Sequence, residues 1–171
     1  HLTSSLSCVE ILVALYHGGL LRFDPKRPDW TGRDRFIMSK GQASPALYAV
    51  LADLGFFDPR DLELFAQQGG RMGVHLQQDV PGVEITSGSL GLGLGIAAGL
   101  ALGAAMDGEG HRVFALLGDG ECDEGSIWEA AMFAAHHRLG NLTAVIDRNG
   151  LCVTDFTEKI VALEPLEDKW R

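Results

Sequence analysis

Two apolar runs joined by a helical pattern limit the fold of this chain more than any other feature of its sequence. Residues 112–119 (RVFALLGD) and 142–149 (LTAVIDRN) are each largely apolar until their polar ends. The segment between them, EGSIWEAAMFAAHHRLG, has helical spacing and closes at Gly140. Strand, helix and strand within about forty residues make a βαβ unit, and strands buried on both faces lack polar alternation. The sequence therefore predicts an α/β fold of three layers, in which a mostly parallel sheet carries helices on both faces.

The rest of the chain predicts elements that flank this unit. Ser4 and Ser5 are typical cap residues, and the apolar spacing after them indicates a helix to about Leu20. The other predicted elements are a strand at 35–39, a helix at 43–55 closed by Gly55, a short helix from 58 and a loop at 71–88. No internal repeat is present, so residues 1–171 are interpreted as one domain. Because the sequence begins without methionine, we interpret this domain as one cut at both ends.

A glycine-rich segment at 85–106 carries no charge and is long enough to cross a bilayer. Six of its residues are glycine, so the hydrophobic gain is small for its length, and a helix packed against protein is the favoured interpretation. Four of these glycines, Gly91, Gly95, Gly99 and Gly103, recur at every fourth position. On a helix this spacing gives a stripe without side chains, which lets another backbone come close. We therefore expect this helix either in the core or at a subunit interface.

Composition and charge exclude several classes of function. The net charge of -9 and the pI of about 5.0 leave no basic stripe for nucleic acid or an anionic membrane surface. The cysteines, Cys8, Cys122 and Cys152, have no C-x-x-C spacing, so neither a disulfide framework nor a zinc site is indicated. We expect buried thiols in a reducing, cytoplasmic compartment. We also expect His17 and His111 to lie at the surface.

The stretch LLGDGECDEG, residues 116–125, puts four carboxylates into six positions. Like charges at such spacing repel one another, so a fold tolerates them only in solvent or beside a cation. We predict that Asp119 faces a cation, that Glu121 and Asp123 face solvent, and that Glu124 has a separate role. The alternative is that all four acids belong to a solvated loop and helix N-terminus.

Asp119 ends the first strand of the βαβ unit, and Asn149 ends the second, thirty positions later. Adjacent parallel strands bring such residues together at the sheet edge where ligands bind in open α/β folds. Carboxylate and amide oxygens suit Mg²⁺ or Ca²⁺. Gly118 and Gly120 are expected to leave backbone N–H groups free to face a phosphate. The sequence thus predicts a divalent metal held on a diphosphate.

Residues 118–150, GDGECDEG…IDRNG, resemble the thiamine diphosphate signature in the form that transketolases use: GDG followed by Asn after about thirty residues. The blocks HLTSSLS, PDWTGRDRFIMSKGQASPALYA, GVEITSGSLGLGL and WEAA resemble successive transketolase blocks in the same order. The PDW…RDRFIMSKG block favours transketolase over deoxyxylulose-phosphate synthase or the 2-oxo-acid dehydrogenases. The chain is therefore identified as similar to the diphosphate-binding domain of transketolase.

The resemblance implies a role for several positions of the cofactor site. Asp119 and Asn149 match the metal ligands of the family, with the backbone carbonyl of Leu151 as the third protein ligand. Gly120 matches a contact to the diphosphate. Two further matches, Gly88 and Leu90, line the aminopyrimidine and its surroundings.

Further matches concern the substrate and the partner domain. His1 and His75 match histidines that bind hydroxyls of the donor sugar. Glu124 matches an acid that reaches across the dimer to the glutamate that activates the pyrimidine. Two departures stand out: Gln42 replaces a histidine that contacts the diphosphate, and Val74 replaces a common glycine and so restricts the loop before His75.

The family reaction transfers a two-carbon ketol unit from a ketose phosphate to an aldose. The resemblance implies that this chain is the diphosphate-binding half, inactive alone, and that a pyrimidine-binding half completes a homodimer or a heterotetramer. That half is either a separate subunit or a missing part of the same chain. The alternative is a non-catalytic paralogue, a dimerising or regulatory module in which Gln42 marks decay of the site.

Overall fold

The computed structural model describes residues 1–171, and an all-parallel sheet of three strands lies at its centre. The strands are β1 (Arg35–Met38), β2 (Val113–Gly118) and β3 (Leu142–Asp147), in the order β1–β2–β3. Gly118 pairs with Asp147 in the register of β2 and β3. The carboxyl ends of these two strands therefore lie side by side, as the predicted βαβ unit requires.

Helices and turns fill the segments between the strands. The helices are α1 (Leu2–Leu6), α2 (Val9–Tyr16), α3 (Ser44–Asp53), α4 (Gly93–Met106), α5 (Gly125–His136), α6 (Thr157–Ile160) and α7 (Leu166–Lys169). Short 3₁₀ turns cover Gly41–Ala43, Pro59–Leu64 and Gly120–Asp123, and a hairpin is formed by β4 (Leu151–Cys152) and β5 (Asp155–Phe156). The predicted loop at 71–88 contains no helix or strand.

The two faces of the sheet pack against different helices because side chains alternate along each strand. Phe114 and Leu116 of β2 join the core that contains residues of α2 and α3. Ala115 and Leu117 of the same strand join the core that contains residues of α4 and α5. Burial of each large apolar side chain stabilises the fold by about 1.5–3 kcal/mol. The predicted three-layer α/β architecture is confirmed.

The predicted helix from Ser4 to Leu20 is wrong, because it breaks between α1 and α2 and ends at Tyr16. The break follows from contacts made at Ser7 by distant residues. Its hydroxyl donates a hydrogen bond of 2.6 Å to the carboxylate of Asp147, and Lys40 Nζ donates to it at 3.2 Å. These contacts hold the turn against the end of β3, and no local periodicity encodes them.

The prediction that β3 is buried is wrong over most of its length. β3 is an edge strand with one neighbour, and its residues before Asp147 are exposed or half-buried. Asp147 itself is 5% exposed, because Lys40 and the α1–α2 turn cover it.

The glycine-rich helix α4 begins at Gly93 and buries its alanine face, including Ala97 and Ala101, against the sheet. Gly99 and Gly103 point away from that core, since a Cβ atom at either would have no neighbour within 4 Å, whereas Gly91 precedes α4 and is buried. The helix thus lies against the core through its alanines, as one of its two predicted placements has it, and a subunit interface on its glycine side stays a prediction. No helix in the structure has the length and apolar character needed to span a membrane.

Candidate functional site

A cavity of about 630 Å³ opens at the carboxyl ends of β2 and β3. Its walls come from the N-terminal segment, the turn after β2 and the β4–β5 hairpin. Seven of the residues predicted from the sequence line it: His1, Gln42, Leu90, Asp119, Gly120, Asn149 and Leu151. A cavity of this size is typical of sites for small molecules and cofactors.

Asp119 lies at the floor of this cavity with a side chain that is 1% exposed. Its Oδ1 accepts a hydrogen bond of 2.9 Å from the N–H of Gly120. Its Oδ2 accepts from the N–H of Gly150 at 2.7 Å and from Arg148 Nη1 at 2.8 Å. The charge of Asp119 is thus balanced by a guanidinium group that the sequence analysis did not identify. Oδ1, which has one N–H donor, retains a lone pair for another cation.

Asn149 lines the same cavity, and its side chain is held in one orientation. Its Oδ1 accepts a hydrogen bond of 2.9 Å from the N–H of Leu151, while its Nδ2 lies 3.3 Å from the Oδ2 of Asp147. The amide oxygen therefore faces the start of the hairpin, and the amide nitrogen faces the buried carboxylate. The structure brings Asp119, Asn149 and Leu151 to one cavity.

The backbone N–H groups of Gly118 and Gly120 were expected to be free for a phosphate, and this expectation is wrong. The N–H of Gly118 donates to Glu121 Oε2 at 3.0 Å, and the N–H of Gly120 donates to Asp119. Both glycines still line the cavity, where they present backbone without a side chain.

The prediction that Glu121 faces solvent is also wrong, because this residue is 2% exposed. Its carboxylate accepts a hydrogen bond of 2.9 Å from the N–H of Gly91 and another from the hydroxyl of Ser39. Asp123 is exposed, as predicted. Glu124 is exposed as well; it occupies the N-cap position of α5 without a capping hydrogen bond from its side chain, and it lies outside the lining of the cavity.

The structure brings His1 and His75 together, with ring centroids 5.7 Å apart. The loop that carries His75 is held by α3: Tyr48 donates to the carbonyl of His75 at 3.3 Å, and Ser44 donates to the carbonyl of Val74 at 2.5 Å. Val74 is thus held by Ser44 in the loop that brings His75 beside His1. Gly88 lies beside it, since a Cβ atom there would be 3.3 Å from the His75 ring.

Gln42 is oriented by one hydrogen bond, in which its Nε2 donates to the carbonyl of Gly88 at 3.3 Å. The reverse orientation would place two acceptor oxygens against each other. Its Oε1 is buried without a partner, as is the Oγ of Ser87. In this orientation Oε1 is an uncommitted acceptor, and a contact to a diphosphate would use the second N–H of Nε2.

Three charged residues of the site were missed by the sequence analysis: Lys40, Asp147 and Arg148. Lys40 and Asp147 are each 5% exposed and form an ion pair, and Lys40 Nζ also donates to the carbonyl of Ser4 at 3.0 Å. Arg148 joins Asp119 to the acids Glu158 and Glu164 at 2.9 Å each. The sequence offered one signal for these three residues, which is their position at the end of a predicted strand. A charged side chain that is buried there requires a partner.

The remaining predicted thiols and histidines have mixed outcomes. Cys8 and Cys122 are buried, while Cys152 is half-buried and lines the cavity. Burial, together with the charges of Glu121 and Asp119, raises the pKa of Cys122 to about 12, so its thiol is protonated near neutral pH. His17 is exposed, as expected, but His111 is buried at 6% exposure, with Nδ1 2.9 Å from the carboxylate of Glu109.

Comparisons with known proteins identify the family to which this chain belongs. The family model described as "Transketolase, thiamine diphosphate binding domain" matches residues 1–171. The chain is 45% identical to the 6-deoxy-6-sulfo-D-fructose transketolase subunit SqwG of Clostridium sp., over 100% of this chain and 62% of that protein. It is 41% identical to an apulose-4-phosphate transketolase subunit of Phocaeicola vulgatus, over 99% of this chain and 60% of that protein.

Solved structures give the same result. The transketolase from Campylobacter jejuni superimposes with a TM-score of 0.85 and 30% identity, over 95% of this chain and 26% of that chain. The transketolase from Leishmania mexicana has a TM-score of 0.85 and 33% identity, over 93% of this chain and 25% of that chain. The chain thus spans 62% or 60% of the two related subunits and about a quarter of these solved chains.

Proposed function

Because the chain belongs to the transketolase family and matches its thiamine diphosphate-binding domain throughout, we propose that it is the diphosphate-binding half of a transketolase-type enzyme. The enzyme transfers a two-carbon ketol unit from a ketose phosphate to an aldose. One observation carries the proposal: Asp119 and Asn149, at the ends of adjacent strands, line one cavity together with His1. Residues 1–171 form a single domain in this assignment.

The residues of the cavity fit thiamine diphosphate with a divalent cation. Oδ1 of Asp119, Oδ1 of Asn149 and the carbonyl of Leu151 are hard oxygen donors suited to Mg²⁺ or Ca²⁺. Gly120 has no side chain to oppose a diphosphate. When bound, the cofactor supplies the carbon nucleophile for carbon–carbon bond cleavage and formation. Behind these donors, Arg148 orients the carboxylate of Asp119, and Asp147 orients the amide of Asn149.

The two neighbouring histidines bind the donor sugar. A neutral imidazole can donate and accept hydrogen bonds, so His1 and His75 can orient one hydroxyl and move its proton. Tyr48 and Ser44 of α3 position His75 through the backbone, which removes the need for a flexible glycine before it. Leu90 lines the cavity on the side assigned to the aminopyrimidine, and Gly88, which lies beside His75, is assigned to the surroundings of the same ring.

A pyrimidine-binding half completes the site. Glu124 is exposed at the start of α5 and is available to a glutamate of that half. Two relatives are named as transketolase subunits, which supports a partner on a separate chain in a heterotetramer. If the pyrimidine-binding half is instead part of a longer chain, a homodimer of that chain brings Glu124 and the glutamate of that half together in the same way. Without that half the activating glutamate is missing, so the domain alone is inactive.

The test is ketol transfer by the full protein with its pyrimidine-binding half, thiamine diphosphate and Mg²⁺. We expect His75→Ala to lower kcat/KM about 100-fold, the lower range for loss of a group that moves a proton. His17→Ala is the matched control, since that histidine is exposed on the far end of α2. Equal activity of the two variants would contradict the assignment of His75.

A non-catalytic paralogue is the second candidate, favoured only by Gln42, whose free amide end is an acceptor. Calorimetry of the full assembly with thiamine diphosphate separates the two. The enzyme gives heat that depends on Mg²⁺, whereas the paralogue gives none.

A further inference from the structure

Glu121 is a buried carboxylate that the proposed chemistry does not use. It is 2% exposed, and it forms no ion pair with any lysine, arginine or histidine of the chain. A buried charge without a counter-ion is costly unless hydrogen bonds compensate it. Here three neutral donors do so: the N–H of Gly91 at 2.9 Å, the N–H of Gly118 at 3.0 Å and the hydroxyl of Ser39.

These three donors belong to three separate segments. Ser39 follows β1, Gly91 lies in the loop before α4, and Gly118 ends β2. The Ser39 hydroxyl oxygen also accepts a hydrogen bond of 3.1 Å from the N–H of Gly93, the first residue of α4. One carboxylate therefore fixes the start of α4 against the ends of two strands.

The loop before α4 has little freedom to adapt by itself. Gly91 has a φ of 86°, and a Cβ atom there would lie 2.5 Å from Ser126 Oγ and 2.8 Å from the Cβ of Glu124. Its neighbour Leu90 lines the same cavity as Asp119 and Gly120. The carboxylate of Glu121 binds the N–H groups of both Gly91 and Gly118. It therefore sets the distance between the wall of the cavity that contains Leu90 and the wall that contains Asp119.

We propose that Glu121 is a positioning residue that holds the Leu90–Gly91 wall of the cofactor cavity at a fixed distance from the Asp119 wall. This proposal rests on the proposed function. Both carboxylate oxygens are occupied by protein donors, so Glu121 acts through the loops it joins. A glutamine at this position would put an N–H₂ group against an N–H or O–H donor, and an aspartate would be one methylene too short to reach both loops.

The test compares Glu121→Gln with Asp123→Asn in the full protein with its pyrimidine-binding half. Asp123→Asn is the matched control because it removes one charge from the same turn at an exposed position. We expect Glu121→Gln to raise the Kd for thiamine diphosphate about 10- to 100-fold, which is the effect of losing a hydrogen bond to a charged group. The apparent KM for the cofactor should rise by a larger factor than kcat falls. The control variant Asp123→Asn should change neither the Kd for thiamine diphosphate nor the kinetic constants by more than about twofold.

A second readout does not depend on the cofactor. Amide hydrogen exchange at Gly91 and Gly118, measured without cofactor, should become faster in Glu121→Gln and unchanged in Asp123→Asn. If the wild type fails to bind thiamine diphosphate, the proposed function fails, while the exchange rates still decide whether Glu121 couples the loops. If Glu121→Gln does not fold, Ser39→Ala removes one donor and should give smaller changes in the same direction. Wild-type exchange rates in the folded variant, or an unchanged cofactor Kd, would overturn the proposal.

Discussion

At the scale of single residues, four neighbouring carboxylates occupy three different environments. Asp119 is paired with the guanidinium of Arg148, and Glu121 is buried among neutral donors. Asp123 and Glu124 are exposed. The sequence predicted that a cation or solvent must accommodate each acid. It could not identify Arg148 as a further cation beside Asp119. Nor could it predict that neutral N–H and O–H donors surround the carboxylate of Glu121, because both arrangements depend on contacts formed only in the fold.

Gln42→His should tighten the binding of thiamine diphosphate. One N–H of the Gln42 amide donates to Gly88 and the other has no protein acceptor, but the amide is neutral, whereas a protonated imidazole donates a stronger, charge-assisted hydrogen bond to an anion. We expect the Kd, measured by calorimetry with Mg²⁺ on the full assembly, to fall about tenfold. Gln42→Leu is the control and should not tighten binding. Equal affinity of wild type and Gln42→His would show that position 42 does not contact the diphosphate.

Alkaline pH should destabilise the fold through Cys122. Burial and three nearby acids raise its pKa to about 12 from the usual 9.0, so the thiol ionises more readily in the unfolded state. The stability that this thiol contributes is complete below pH 9.0 and is lost as pH rises from there toward about 12. Urea unfolding between pH 7 and about 10.5 should give a declining free energy of unfolding, with a smaller decline for Cys122→Ala. The same decline in both proteins would contradict this explanation.

At the scale of elements, the sequence pattern correctly predicted the strands and the helix that depend on local apolar spacing and on a terminal glycine. The strands β1, β2 and β3 and the helix α3 lie where the apolar runs and the terminal Gly55 placed them. The break between α1 and α2 and the exposure of β3 were not predictable, because they depend on Lys40 and on the position of β3 at the sheet edge. The glycine stripe of α4 was predicted as a stripe, but period alone could not decide which side of the helix meets the core.

Lys40→Met should destabilise the protein by about 3–5 kcal/mol, because it leaves the buried carboxylate of Asp147 without its cation. The double variant Lys40→Met/Asp147→Leu should recover much of this loss, since it removes both charges. Lys159→Met is the matched control: its pair with Asp155 is exposed, so a change of no more than about 1 kcal/mol is expected. Urea unfolding of the full protein measures all three. A double variant no more stable than Lys40→Met would argue against the ion pair as the cause.

At the scale of the whole molecule, the fold supplies one wall of a shared site. The parallel sheet places the ends of β2 and β3 at one cavity, which is the part of the site that sequence spacing could predict. The charged residues behind that cavity, Lys40, Asp147 and Arg148, could not be predicted, since their contacts join positions as many as 140 residues apart. Glu124, Gly95 and Gly99 are exposed at the surface, and the proposed pyrimidine-binding half would meet Glu124.

The most direct measurement is calorimetric titration of the full assembly with thiamine diphosphate, with and without Mg²⁺. Wild type and Asp123→Asn should bind the cofactor with heat that depends on Mg²⁺, while Asp119→Asn and Asn149→Leu should lose the Mg²⁺-dependent part. Circular dichroism of each variant establishes that it is folded. Binding that is equally strong without Mg²⁺, or retained in full by both ligand variants, would contradict a metal site formed by the ends of β2 and β3.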